Sequence, residues 1–435
     1  MSLPPTDSST NPRLLRARLV LPIGSPPIEN GAVVVTGNRL QAVGSFPELR
    51  ALPHSDSHDL GDVILLPGLI NCHCHLDYTD MAGMILPQRH FADWIKAIIA
   101  IKATWGYTEF AQSWLNGAKM LEQSGTTSVV DIEAIPELLP DAWLATSLRV
   151  WSCFEMINLR SRRPATDLVS EVLHRSRQLE SKHENRCGLS PHALYTTNDE
   201  LRASARDAAH RENRLLTSHV AESKEELEMY TRESGPLYDW LKAQTQEAHC
   251  GEGSPVQILH RSGYLDSPLL AAHVNELAPG DEDLLAQSNS TVVHCPLSHD
   301  YFQHSRFDWQ RLESAGVNLT LGTDSLASSQ KRGGKMPKLD LFAEMAHLAT
   351  RPDAPSPTKI LRWATENGAQ ALQRGHELGN LRPGYLADLI AIPFSGSPTK
   401  ADESVVHHFG KIAFSMINGQ VIEIDTSSPP ERATP

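Results

Sequence analysis

Runs of alternating apolar and polar residues mark both ends of the chain. Arg16-Ala17-Arg18-Leu19-Val20-Leu21-Pro22, residues 31–40 and the approach to Leu66 read as short strands, with Gly37-Asn38 as a hairpin signal. Residues 387–392 and 411–424 return to the same texture. Between the flanks, strand patterns at 63–71, 127–132, 148–157, 188–192, 215–220, 269–274, 291–295 and 317–321 alternate with helical ones at 91–104, 108–123, 199–212, 312–316 and 339–349. In the last of these, Leu339, Leu341, Phe342, Met345 and Leu348 recur at helical spacing and are expected in a core. Eight strands alternating with helices predict an α/β protein, a (β/α)8 TIM-like barrel. The flanks predict one small β-sandwich built from both chain ends. The expected division is 1–66 for the N-terminal part of the sandwich, 67–378 for the barrel, and 379–435 for the rest of the sandwich and a tail. No repeat of solenoid type is present.

Composition narrows the function classes. A 40% hydrophobic and 21% charged chain of 435 residues can bury a large core, which excludes a disordered protein. A net charge of −13 argues against nucleic acid as a partner. The opening residues 1–12 lack the apolar core of a secretory signal, and no apolar run approaches the roughly 20 residues that span a bilayer. The expectation is a cytoplasmic protein, with no membrane partner and a small molecule as ligand. The six cysteines are scattered and mostly lie in predicted strands, which suits reduced, buried thiols.

The candidate chemistry starts at Asn71-Cys72-His73-Cys74-His75. In a strand, residues two apart share a face, so His73 and His75 converge while Cys72 and Cys74 point the other way. A Cys-His-Cys-His cage around one ion is therefore not expected. Two imidazoles alone are a weak signal for a metal. The signal strengthens because His192, His219, His273, His294 and Asp324 each follow an apolar strand-like run, and barrel chemistry sits at the C-terminal ends of strands.

With these segments in view, the chain resembles the amidohydrolase superfamily, in the branch of metal-dependent deaminases and triazine chlorohydrolases. The resemblance runs through 67–75, Ser218-His219-Val220-Ala221-Glu222, Ala272-His273, His294-Cys295-Pro296, Leu321-Gly322-Thr323-Asp324-Ser325, 365–372 and 384–389. It implies that His73, His75, His219 and Asp324 bind one divalent metal, while Glu222 and His273, with Asp324, handle protons. Imidazole and carboxylate suit zinc, the first expectation, and also iron(II) or manganese. Such an ion lowers the pKa of bound water toward neutrality, and a carboxylate placed like Glu222 can move a proton from that water to a ring nitrogen. Dinuclear relatives carry a lysine near the end of the fourth strand; residues 188–197 have none, so one ion is expected.

Each role has a plainer alternative. Glu222 precedes Glu225, Glu226 and Glu228 in what reads as an exposed helix, and solvation would explain all four. His273 has a plainer reading as a buried histidine satisfied by backbone, and Asp324 as a helix cap or turn residue. The resemblance implies a substrate contact for His192. Residues 90–98 and 294–304 are similar to deaminases of 6-amino-6-deoxyfutalosine, an adenine nucleoside of an alternative menaquinone pathway. Deaminases of S-adenosylhomocysteine and methylthioadenosine more often carry Asn where His299 stands, which makes His299 a candidate substrate contact; Leu297 stands where many relatives have a basic residue. Glu155, a charge in an apolar strand, needs a partner: substrate hydroxyls or a base such as Arg160. Arg89, Arg160 and Arg163 are candidates for a substrate carboxylate. The expected activity is hydrolytic deamination of an adenine-type nucleoside; guanine deamination, triazine dechlorination and a non-catalytic scaffold are the alternatives. A homodimer is expected only by analogy of fold.

Overall fold

A computed structural model describes residues 11–159, 161, 163–242, 249–331 and 336–425. Two compact units emerge, one of residues 1–70, 121–128 and 341–435, the other of 71–120 and 129–340.

The first unit gathers both ends of the chain into one sheet of eight strands. Its path runs Gln420–Val421, Phe414–Ile417, Leu389–Pro393, Val63–Pro67, Arg13–Val20, Ile28–Thr36, Arg39–Ser45, and Asp56–Asp59 pairs with Arg13–Val20 off that path. The Gly37-Asn38 hairpin forms as expected: Thr36 pairs with Arg39, and positive φ falls on the first central residue, Gly37 at 60°, as a type II′ turn requires. The run 411–424 is two strands, because Asn418 and Gly419 both take positive φ and turn the chain back between Ile417 and Gln420. Alternation along the strands buries Leu15, Ala17, Val33, Leu65, Leu389 and Met416 in one cluster, and Leu14, Ala32 and Val34 in another.

The expected strand at 63–71 is also two strands. Val63–Pro67 belongs to the eight-stranded sheet, pairing Pro67 with Leu389, and a new strand starts at Leu69. Gly68 sits at the break, where a Cβ would lie 2.2 Å from the Thr127 side chain, so only glycine lets the two segments pass.

From that point eight strands follow in chain order: β1 Leu69–Cys74, β2 Thr126–Glu133, β3 Arg149–Met156, β4 Arg186–Pro191, β5 Thr217–Val220, β6 Leu270–His273, β7 Thr291–His294 and β8 Asn318–Leu321. They form two four-stranded sheets, β1-β2-β3-β4 and β5-β6-β7-β8. Pairing is parallel from β3 to β4 and from β5 through β8, and helices separate the strands, so both faces are covered and β5, β6 and β7 are buried throughout. Isolated parallel bridges join Leu189 to Leu216 and Cys74 to Asp324. The expected helices lie at Phe91–Lys102, Tyr107–Gln123, Asp199–Glu212, Trp309–Ser314 and Leu341–Ala349. All five apolar residues of the last pattern are buried. Among the described residues, no helix is long and apolar enough to cross a membrane.

Candidate active site

The ends of β1 and β8 are pinned together first. The His73 carbonyl accepts from the backbone N–H of Thr323 and of Asp324, each at 3.0 Å. Asn71 Oδ1 accepts from the N–H of Thr323 at 3.2 Å, and its Nδ2 donates to Thr323 Oγ1 at 2.8 Å. A Cβ at position 322 would come within 2.7 Å of the His73 carbonyl oxygen, so Gly322 is what permits this approach. Asp324 follows with φ at 53°, a backbone region that non-glycine residues rarely occupy and that clusters at functional sites. His273 is held the same way, at 74°.

These constraints aim five side chains at one place. His75 Nε2 and His219 Nε2 are 3.3 Å apart. Asp324 Oδ1 lies 3.7 Å from His73 Nε2 and 3.8 Å from His75 Nε2. His73, His75 and Asp324 form one group whose ligand atoms lie within 4.8 Å of one another, and His73, His219 and His273 form another. The four expected ligands are therefore brought together, and His273 stands at the same point. His294 is in neither group; its ring stacks on Phe307 at 3.9 Å. Cys72 and Cys74 are likewise outside, with Cys72 Sγ accepting from Thr320 Oγ1 at 3.2 Å.

The donor set fits a divalent cation. Burial, reinforced by neighbouring imidazoles, pushes the pKa of His73, His75 and His273 well down, so their rings are neutral and offer lone pairs. Both ring nitrogens of His73 are buried without a hydrogen-bond partner among the described residues. A buried lone pair is costly unless something binds it, and one nitrogen of His73 can meet an ion that His75 Nε2 and His219 Nε2 also face. His219 Nδ1 lies 3.0 Å from the His192 carbonyl, which fixes the proton there and leaves Nε2 free as a ligand. Two nitrogens about 2.05 Å from a tetrahedral ion would stand about 3.3 Å apart, matching the His75–His219 separation. Asp324 Oδ2 is oriented by Ser298 Oγ at 2.6 Å and Ser328 Oγ at 3.1 Å.

Glu222 is buried, with Oε1 3.7 Å from His273 Nε2. Burial first, then the charges of Asp324 and Glu226, raises its pKa well above the usual carboxylate range. The expected exposed helix is Lys224–Arg232, but Glu226 is not solvated. It is fully buried, its Oε2 accepts the N–H of Glu222 at 2.8 Å, and burial pushes its pKa up to about 7. Glu225 is turned the other way, toward the start of the Phe91–Lys102 helix, where its oxygens accept the N–H groups of Phe91 and Ala92 at 3.1 Å each.

A cavity of about 510 Å³ opens in front of His75, His219, Glu222 and Asp324. His192 and Glu155 line it too. His192 Nδ1 is 2.8 Å from Thr196 Oγ1, its Nε2 is 3.9 Å from Glu155, and burial lowers its pKa to about 4. Burial alone would raise the Glu155 pKa; His192, Lys102 and His219 outweigh it and hold the carboxyl below its ordinary value. His299 is not among the lining residues. The short Pro296–Tyr301 helix turns it back, where its Nδ1 meets Asn275 Oδ1 at 3.0 Å, and Asn275 Nδ2 donates to the Glu222 carbonyl at 2.9 Å. Arg89 and Arg163 are exposed and outside the lining, Arg163 pairing with Glu171 at 2.8 Å; Arg160 lies outside the described residues.

Sequence reasoning missed Asn71, Ser298 and Ser328, which orient ligands, and Tyr78, Trp94 and Lys102, which line the cavity. Asn71 and Ser298 sit inside the quoted motifs, the one signal that pointed to them.

Comparison with known proteins agrees with this geometry. Residues 64–422 match the model of the amidohydrolase family. An aminodeoxyfutalosine deaminase of Deinococcus radiodurans is 34% identical over 69% of this chain and 73% of its own length. A 5-methylthioadenosine/S-adenosylhomocysteine deaminase of Thermococcus onnurineus is 28% identical over 83% of each chain. In three dimensions, the chain is similar to an adenosine deaminase from Xanthomonas campestris solved with bound zinc, with a TM-score of 0.79 over 95% of both chains at 24% identity. A family match over most of the length, a relative this similar and a histidine–carboxylate cluster at the strand ends lead to one conclusion: the chain belongs to the amidohydrolase family and is a hydrolase.

Proposed function

We propose that this enzyme is a metal-dependent aminohydrolase that replaces the ring amino group of an adenine-type nucleoside with oxygen and releases ammonia. The observation that carries this reading is the convergence of His73, His75, His219 and Asp324 beside a cavity whose wall also holds Glu222. One ion held by those four residues is the expected cofactor, and zinc is the ion we assign, as in the Xanthomonas structure. When bound, such an ion acts as a Lewis acid and makes water nucleophilic near neutral pH.

Glu222 takes a proton from the attacking water and gives it to a ring nitrogen, which makes the amino-bearing carbon electrophilic. A buried carboxyl suits that exchange, because burial raises its affinity for the proton above that of a carboxylate in water. His273, 3.7 Å from Glu222, steadies the oxygen added to the ring, and Asp324 takes the second proton from that oxygen and passes it to the amino group, which leaves as ammonia. His192 presents Nε2 to the purine-like ring, its Nδ1 being engaged by Thr196. Glu155 accepts from sugar hydroxyls. His299 acts through Asn275 as a positioning residue for Glu222.

The substrate we favour is 6-amino-6-deoxyfutalosine, supported by the Deinococcus relative. In the same reading, residues 67–378 are one (β/α)8 barrel, supported by eight strands in order and by the bridges from Leu189 to Leu216 and from Cys74 to Asp324. Residues 1–66 and 379–435 are then one β-sandwich, supported by the core that Leu15, Leu65, Leu389 and Met416 share.

The test is ammonia release by the metal-loaded enzyme from aminodeoxyfutalosine, adenosine, methylthioadenosine, S-adenosylhomocysteine and guanine, with chloride release from a chlorotriazine in parallel. Preference for aminodeoxyfutalosine supports the reading. Ammonia from none of them, with metal bound, overturns it.

A further inference from the structure

The cavity carries one cationic side chain among the described lining residues, and neither the ligand cluster nor the proton-handling residues use it. Lys102 is the last residue of the Phe91–Lys102 helix and lines the cavity with Ile95, Ile98 and Ile99 of the same helix. Residues 95, 98, 99 and 102 recur at helical spacing, so three isoleucines and the ammonium share one face. Lys102 Nζ donates to Tyr78 Oη and lies 4.7 Å from the centre of the Tyr78 ring. Tyr78 in turn stacks on the ring of His75, centroids 5.3 Å apart and planes 12° apart. The cation thus stands one aromatic ring away from the His75 end of the site.

Its hydrogen-bonding capacity is not used up. An ammonium has three N–H donors, and Tyr78 takes one. Among the described residues, no carboxylate lies within ion-pair distance of Lys102. Glu155, a carboxylate lining the same cavity, lies 3.9 Å from His192 Nε2. Lys102 is also the one lysine or arginine among the described lining residues. The Lys102 charge acts on Glu155 and Asp77 without an ion-pair contact to either, so donors remain for an anion that a ligand brings into the cavity.

Building on the nucleoside-deaminase reading, we propose that Lys102 sets substrate specificity: it receives an anionic group, a carboxylate, at the end of the substituent on the sugar side of the nucleoside. The ring amino group must face His75, His219 and Asp324, so the remainder of the substrate extends along the cavity. The apolar part of its substituent packs on Ile95, Ile98 and Ile99, and its charge ends at Lys102.

Aminodeoxyfutalosine, whose sugar carries a benzoate, provides the probe, and its methyl ester and methylthioadenosine are the uncharged comparators. kcat and KM are measured for all three with the metal-loaded wild type, K102M and K102R. The wild type should favour the acid over the ester by at least about tenfold in kcat/KM. In K102M that preference should collapse, mainly through KM, and K102R should restore part of it. Equal handling of acid and ester by the wild type overturns the proposal without needing any variant to fold. So does a K102M loss of the same size on acid, ester and methylthioadenosine, which would mean a merely structural lysine. Failure of the wild type on every nucleoside overturns the parent reading and this one with it, and is distinguishable because no substrate is then turned over.

Discussion

Glu222 and His273 face each other across 3.7 Å while their backbones are tied by a single side chain, Asn275, whose Nδ2 donates to the Glu222 carbonyl. Residues 274–276 return to the end of β5, since the N–H of Asn275 and of Glu276 both reach the Ala221 carbonyl. The acid and the imidazole that the mechanism requires are thus set by backbone and not by the rotamers of exposed side chains. Glu226 adds a third tie through the N–H of Glu222.

E222Q follows directly. Gln matches Glu in shape and keeps the backbone ties, but it cannot carry a proton between water and ring. Turnover should fall by about two orders of magnitude or more while metal content stays at the wild-type level. Steady-state kinetics with metal analysis on the same preparation checks this. Unchanged turnover removes Glu222 from the mechanism.

Removing the ion should cost stability as well as activity. Without it, His73 Nε2 is buried without a partner among the described residues, and the Nε2 atoms of His75 and His219 face each other at 3.3 Å. At a free-metal concentration about 100 times Kd, binding contributes about 2.7 kcal/mol. Chelated enzyme should therefore melt several degrees lower than metal-loaded enzyme, and zinc should restore the transition. Identical melting curves for a chelated preparation shown to be metal-free would mean that the cluster is not a metal site.

The helix that walls the cavity depends on one cap. Glu225 accepts from the N–H of Phe91 and Ala92 and lies 3.1 Å from His90 Nδ1, at the positive end of the helix dipole. E225A leaves two helix N–H groups without this partner, at a cost of about 1–2 kcal/mol for the helix start. Phe91, Trp94, Ile95 and Ile98 all line the cavity, so the loss should raise KM roughly tenfold, with a smaller effect on kcat. The KM-to-kcat split in E225A, beside E225Q as the milder change, decides it.

What the sequence made legible was the periodic part. Eight apolar runs marked the strands because burial on both faces demands continuous apolar residues, and His73, His75, His219 and Asp324 were visible because strand ends place them. What it hid were features decided by close approach. Gly68 splits one apolar run into two strands because Thr127 packs where a Cβ would be, and no local propensity encodes that contact. Glu226 looked like surface, since a glutamate in the first turn of a helix usually is; here it folds inward because the N–H of Glu222 needs an acceptor. His299 was read as a substrate contact from the resemblance of residues 294–304, but the helix turn at Pro296–Tyr301 points it at Asn275. Lys102 lies just past residues 90–98, the part of its helix that the resemblance singled out, and nothing in the pattern marked the lysine itself.

The last prediction concerns pH and a histidine far from the cluster in sequence. Burial lowers the pKa of His408 from 6.5 to about 4, and its ring meets Phe342 edge-on with centroids 4.8 Å apart. Between these two pKa values the unfolded chain binds more protons at this site than the folded one, so stability rises with pH across the window. The contribution of His408 is thus fully present above pH 6.5 and is lost as the pH falls toward 4. From pH 7 to pH 5 the loss amounts to at most about 2 kcal/mol. H408Q, which cannot be protonated, should show a shallower fall in the urea midpoint over that range, although its stability at pH 7 is somewhat lower from lost packing. Titration of the metal ligands affects both proteins alike and cancels in the comparison. Parallel pH profiles for the two proteins would mean that His408 titrates normally in the folded state, and that the burial of its ring carries no electrostatic cost.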